Sequence, residues 1–199
     1  MKYNFRNYFI IFITLLLTSA VFNNLKAVTE NEAFLGDKEA KVTIIEYASM
    51  TCNHCADFHR EIYPKIKEKY IDSKKIKFIY RDFPLDKQAL YASILAKCAP
   101  EDKYFDFVKL ILSTQSKWIS NDDSFVEKLT NIGKLAGLNE EKITNCFSDE
   151  KLVDKIIQSR SDAEKKYGIQ STPSFIINEK KYSAMSFENF EKIIDNLIN

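Results

Sequence analysis

What most constrains the fold of this chain is where its β-forming runs stand: two close together near the start, one near the end, and helical periodicity between them. The first run, Val42-Thr43-Ile44-Ile45-Glu46-Tyr47, is rich in β-branched residues and apolar at odd and even positions, which suits a strand covered on both faces. The second is Ile76-Lys77-Phe78-Ile79-Tyr80-Arg81, and the third is Ser174-Phe175-Ile176-Ile177, after which Glu179-Lys180 can turn a hairpin into Lys181-Tyr182. Between them apolar residues recur at three and four, as at Leu90, Ile94 and Leu95, then Phe105, Val108 and Leu112, then Phe125, Leu129, Ile132 and Leu135. Sheet residues on both sides of a helical block make that block an insertion into one α/β domain, from about 86 to 167. A length of 199 residues suits a single domain. With only four glycines and four prolines, a turn-rich β-sandwich is a poor fit.

Local signals mark the helices. After Tyr47 the short stretch Ser49-Met50-Thr51 reads as a turn, and Cys52 opens a helix whose stripe is Cys55, Phe58, Ile62 and Ile66. Pro64 removes a backbone donor inside that stripe, so a kink is expected there. The pattern fades near Tyr70 to Ser73. Asn139 ahead of Glu140-Glu141 resembles a capped start with acids in the first turn, and a helix from about Glu150 to Tyr167 is stopped by Gly168. A last helix carries Phe187, Phe190, Ile193, Ile194 and Leu197. The early strand–helix–strand unit is expected to run as a right-handed crossover between parallel strands.

The first 27 residues have a different character. Lys2 and Arg6 precede an apolar run from Tyr8 to Phe22, with small residues at Ser19, Ala20 and Ala27. This is the pattern of a secretory signal, and the run is short for a membrane span. Residues 1–27 are therefore expected to be a signal peptide, with an uncleaved anchor as the alternative, and residues 28–199 the exported domain. Without that segment the remainder has two more acids than bases, and no bulk charge draws it to nucleic acid or an anionic membrane.

Export gives weight to the four cysteines, since disulfides persist in oxidising compartments. Cys98 and Cys146 are far apart in sequence. Cys52 and Cys55 are too close to staple distant segments, and their position at a helix start points to chemistry. Unpaired N–H groups and the helix dipole favour an anion there, and such settings lower a thiol from about 8.5 to roughly 3.5–7.5. Cys52 is the expected nucleophile and Cys55 the resolving thiol, since exchange needs one thiolate to attack and a second to release the mixed disulfide. His54, between them, can add positive character or a hydrogen bond. Cys52, Cys55 and His59 could instead offer three zinc ligands, but no further Cys or His pair completes a tetrahedral set, so neither metal nor cofactor is expected. His59 otherwise reads as a surface or packing residue.

Three stretches carry a resemblance: Ile45-Glu46-Tyr47-Ala48-Ser49-Met50-Thr51-Cys52-Asn53-His54-Cys55, then Tyr80-Arg81-Asp82-Phe83-Pro84-Leu85, then Ser171-Thr172-Pro173-Ser174-Phe175. In this order, with a helical insertion, they resemble the DsbA family of bacterial disulfide oxidoreductases, on a thioredoxin-like fold, from about Phe34 to the end. The resemblance implies a redox-active Cys52–Cys55 pair and a cis Pro173 beside it, with Thr172 offering backbone to a substrate strand. Glu46 resembles the acidic residue that precedes the motif in many relatives. Strand alternation places it on the face of Val42 and Ile44, where it could exchange a proton with Cys55, or else pair with Arg81. Cys98 and Cys146 can close a loop of about 49 residues, worth roughly 4 kcal/mol, and resemble the non-catalytic bridge of some relatives; two free buried cysteines are the alternative. Asn53 stands where DsbA usually has proline, a position that tunes redox potential.

The function implied is disulfide formation in periplasmic or secreted proteins by a protein-disulfide oxidoreductase. Its substrates would be cysteine-containing exported proteins, and a membrane redox partner would reoxidise it. A reductase or isomerase on the same fold and a redox-inert peptide-binding protein are the alternatives.

Overall fold

The computed structural model describes residues 32–199, and the expected signal peptide lies outside them. The unit Phe34–Asn199 is built on a five-stranded sheet in the order β1-β3-β2-β4-β5. Its strands are β1 (Phe34–Gly36), β2 (Val42–Ala48), β3 (Ile76–Asp82), β4 (Ser174–Ile177) and β5 (Lys180–Ser183). Central β2 runs parallel to β3, and the other pairings are antiparallel. The helices are α1 (Asn53–Glu61), α2 (Tyr63–Ile66), α3 (Lys87–Cys98), α4 (Tyr104–Ser113), α5 (Gln115–Trp118), α6 (Phe125–Leu135), α7 (Glu140–Phe147), α8 (Glu150–Tyr167) and α9 (Phe187–Ile198). Helices α3 to α8 all fall between β3 and β4. This is the thioredoxin-like arrangement with a helical insertion.

Both faces of the sheet are covered, which explains why β2 carries no solvent-facing polar alternation. On one face Ile45, Tyr47, Ile79 and Ile176 pack with Ala163 of α8 and Phe83. On the other, Phe58 of α1, Phe175 of β4 and Phe190 of α9 form a ring cluster with centroids 4.8 to 5.8 Å apart. Arg81 lies on the first of these faces, its Nη1 donating to the Tyr47 hydroxyl at 2.6 Å. It therefore cannot be the partner of Glu46, whose side chain belongs to the opposite face.

Three local details differ from the sequence pattern. Strand β1 was not anticipated, because three residues are too few to show alternation; Gly36, at φ +92°, ends it where a Cβ would collide with the Ile76 carbonyl oxygen. Pro64 does more than kink the first helix. Lacking an N–H, it cannot bond the Arg60 carbonyl, so α1 ends at Glu61 and α2 restarts with the proline in its first turn. A π-helical turn, Lys67–Ile71, then leads out. The β4–β5 turn falls on Asn178-Glu179, both at positive φ (43° and 70°), one residue before the expected place. Asparagine tolerates that region, and a two-residue turn of this hand matches the twist of the strands.

Candidate active site

The turn between β2 and α1 is held from several directions. The Cys52 N–H donates to the Ser49 carbonyl at 3.1 Å. The Thr51 hydroxyl donates to Asp86 Oδ2 at 2.7 Å, while Asp86 Oδ1 caps α3 by accepting from the Ala89 N–H at 2.7 Å. Gln115 of α5 reaches across from the insertion, and its Nε2 donates to the Met50 carbonyl at 2.8 Å and the Cys52 carbonyl at 3.1 Å. Sheet and insertion thus both fix the backbone that presents Cys52. Gln115 gave no sign of this in the sequence, where it is one polar residue among helical neighbours.

Cys52 is the N-cap of α1, in extended backbone conformation (φ −79°, ψ 118°), and is half-buried. Cys55, one turn on, is fully buried, and the two thiols are not bonded to each other. Their environments drive them apart. Cys52 is lowered from the ordinary 9.0 to about 5, chiefly by a hydrogen bond from the Cys55 thiol. Burial opposes that shift, and Thr172 and the backbone N–H groups of Cys55 and His54 add to it. Cys55 is pushed far up, first by burial, then by its bond to Cys52 and by the negative charges of Glu46 and Cys52. One sulfur is held as an anion and the other as a proton donor to it, which is the division of labour that exchange requires.

Across from the dithiol the Thr172–Pro173 peptide bond is cis and Pro173 is buried. As a thiol, Cys52 donates to the Thr172 carbonyl at 3.3 Å. Once Cys52 ionises it has no proton to give. The Thr172 hydroxyl, whose oxygen is buried with no other partner, is then the group that donates to the sulfur.

The remaining site residues are placed as follows. Glu46 is fully buried, in register with Tyr80 of β3 and Phe175 of β4, and its charge is felt at Cys55. His54 does not turn its ring to the sulfur: the side chain is 83% exposed, with Nδ1 4.0 Å from Asp57. An early helix position projects its side chain outward while its N–H points to the helix mouth, so His54 serves Cys52 through the backbone. His59 is neither at the surface nor simple packing. It is 6% exposed, and its Nε2 lies 2.8 Å from Glu46 Oε2. Its position four residues after Cys55, on the same helix face, was the signal for this. Cys98 and Cys146 are joined by a disulfide between the end of α3 and α7, with Cα atoms 6.1 Å apart. Among the described residues no three His, Cys, Asp or Glu side chains are grouped to hold a metal.

A strand leading to a split-pKa dithiol at a helix mouth, faced by a cis-proline, defines a class: thiol–disulfide oxidoreductases of thioredoxin fold. Comparison with known proteins agrees. A family profile described as Thioredoxin matches residues 28–196. The crystal structure of Wolbachia pipientis alpha-DsbA1 superposes with a TM-score of 0.80 at 37% identity, covering 85% of this chain and 92% of that one. A protein of Rickettsia bellii, provisionally named protein-disulfide oxidoreductase, is 38% identical over 86% of this chain. Disulfide bond formation protein D of Bacillus subtilis is 25% identical over 82% of this chain and 74% of its own length. The chain belongs to the thioredoxin family, among its DsbA-like members. It spans between 60% and 66% of the length of the curated Rickettsia relatives it matches.

Proposed function

We propose that this protein is a disulfide donor: its Cys52–Cys55 disulfide oxidises cysteine pairs of exported proteins, and a membrane redox partner returns the dithiol to the disulfide. The observation that carries this reading is the Cys52 thiolate, held at about 5 beside a Cys55 that stays protonated. Stabilising the thiolate favours the reduced form, so the disulfide is the state that gives itself up. The names of the Rickettsia and Bacillus relatives fit the same chemistry. Residues 1–27, read as a secretory signal, support a periplasmic location for the domain that follows. Thr172 and Pro173 are assigned to the substrate strand, and Glu46 to proton exchange with Cys55.

The reduction potential tests the direction. A value near about −120 mV, with rapid oxidation of a dithiol peptide, is expected for a donor. A value near about −270 mV, with strong insulin reduction, would make the protein a reductase instead.

A further inference from the structure

Proton exchange with Cys55 leaves Glu46 with a supply problem. Its carboxyl has no exposed surface, yet each cycle of the dithiol must take up and release a proton at that depth. Its hydrogen-bond partner is His59, through Nε2 and Oε2. The other atom of each group, Glu46 Oε1 and His59 Nδ1, is buried without a hydrogen-bond partner. His59 also lines a cleft of about 670 Å³ between α1 and the helices α4 and α5, together with Asn53, Ala56, Lys109 and Gln115. The imidazole therefore stands between the buried carboxyl and a space large enough for water.

We propose that His59 is the proton conduit of this site, taking a proton at Nδ1 from water in the cleft and passing its Nε2 proton to Glu46. The inference rests on the dithiol being a working exchange site. Imidazole suits the task because it can gain a proton on one nitrogen while losing one from the other. The groups facing the pair are Cys55 and Phe58 on α1, Tyr63 on α2, Tyr80 on β3 and Phe175 on β4. Farther charges from Asp72, Asp106 and Asp82 reach the tyrosines. Tyr63, stacked on the imidazole at 4.8 Å, and Tyr80 are both raised by burial and by Glu46, so neither competes for the proton.

The steps balance. During donation a substrate thiolate attacks Cys52 Sγ, the Cys52–Cys55 bond breaks, and its electron pair leaves on Cys55, which takes the proton held by Glu46. In the reverse direction the Cys55 thiol gives up its proton to the Glu46 carboxylate and its sulfur bonds to Cys52. The substrate sulfur then departs with the electron pair of the broken bond. One negative charge moves between carboxylate and sulfur, so no second charge is created in a region where burying one is costly. His59 then re-equilibrates Glu46 with water.

The test compares oxidation of a dithiol peptide across pH by the wild type, His59→Gln and His59→Ala, each with and without imidazole in the buffer. Glutamine still donates to Glu46 but cannot relay a proton. Both variants are expected to turn over about a hundredfold more slowly, the low end for a positioned proton-transfer group, with a displaced pH profile. Added imidazole is expected to restore His59→Ala, where it has room, and not His59→Gln. A His59→Gln rate and profile matching the wild type would overturn the proposal, as would a folded, slowed His59→Ala that imidazole leaves unchanged. If His59→Ala does not fold, His59→Gln decides. A wild type inactive on every disulfide and dithiol offered removes the exchange reading itself, a result separate from any difference among the variants.

Discussion

Two sulfurs three residues apart differ here because one stands at the mouth of a helix and the other beneath its first turn. The sequence shows Cys52 and Cys55, their helix, and hence the ranking of the two thiols. It does not show that Thr172, 120 residues away, supplies both a carbonyl for the thiol and a hydroxyl for the thiolate. Glu46 was legible through strand alternation, but its partner was not: the sequence offered Arg81, and only the facing of the strands turns Glu46 to His59 and Arg81 to Tyr47 instead. At this scale the prediction concerns Cys52. Its alkylation rate is expected to rise with pH to a half-maximal value near about 5, where an ordinary thiol titrates near 9.0. A midpoint close to that of a free thiol would remove the basis for the site.

Each element of the site does its work through its ends. The first turn of α1 offers N–H groups to Cys52, α3 begins at Asp86, which also grips Thr51, and α5 holds the Cys52 carbonyl through Gln115. The insertion is thereby fastened to the dithiol, and it is in turn fastened to itself by the bridge from α3 to α7. Stripes and caps announced α1, α3 and α7, because both depend on neighbours in sequence, whereas the four-residue α5 left no such trace. The short strand β1 and the break at Ile62 depended on a close approach to Ile76 and on one missing N–H, and left weaker traces. Replacing Cys98 and Cys146 together by alanine is expected to destabilise the domain by about 4 kcal/mol on the loop-closure argument, lowering the Tm by roughly 10 °C. Peptide oxidation at low temperature should persist, since neither cysteine takes part in the exchange scheme. An unchanged Tm in calorimetry would mean that the bridge contributes nothing to stability.

For the molecule as a whole, the state of the dithiol and the stability of the fold are coupled. Cys52 titrates only when reduced, and folding lowers it from 9.0 to about 5. A depressed acid of this kind stabilises the folded form fully above its unfolded value and loses that contribution as pH falls through its folded value. The Tm of the reduced protein relative to the oxidised protein is therefore expected to increase from pH 5 to pH 9 and to level off below about 5. Parallel thermal scans of the two forms check this. A difference independent of pH would contradict the thiolate assignment.

The chain's own order of residues determined the α/β layout, the place of the helical insertion, and the two cysteines that meet at a helix start, because each depends on periodicity or spacing within a few turns. Tertiary structure alone decided which side chains complete the site. Gln115 on Cys52, His59 on Glu46 and Thr172 on the Cys52 sulfur are joined by hydrogen bonds 2.8 to 3.3 Å long across 13 to 120 residues of sequence. Such contacts depend on which faces the packed sheet and insertion turn toward each other, and no local pattern encodes that.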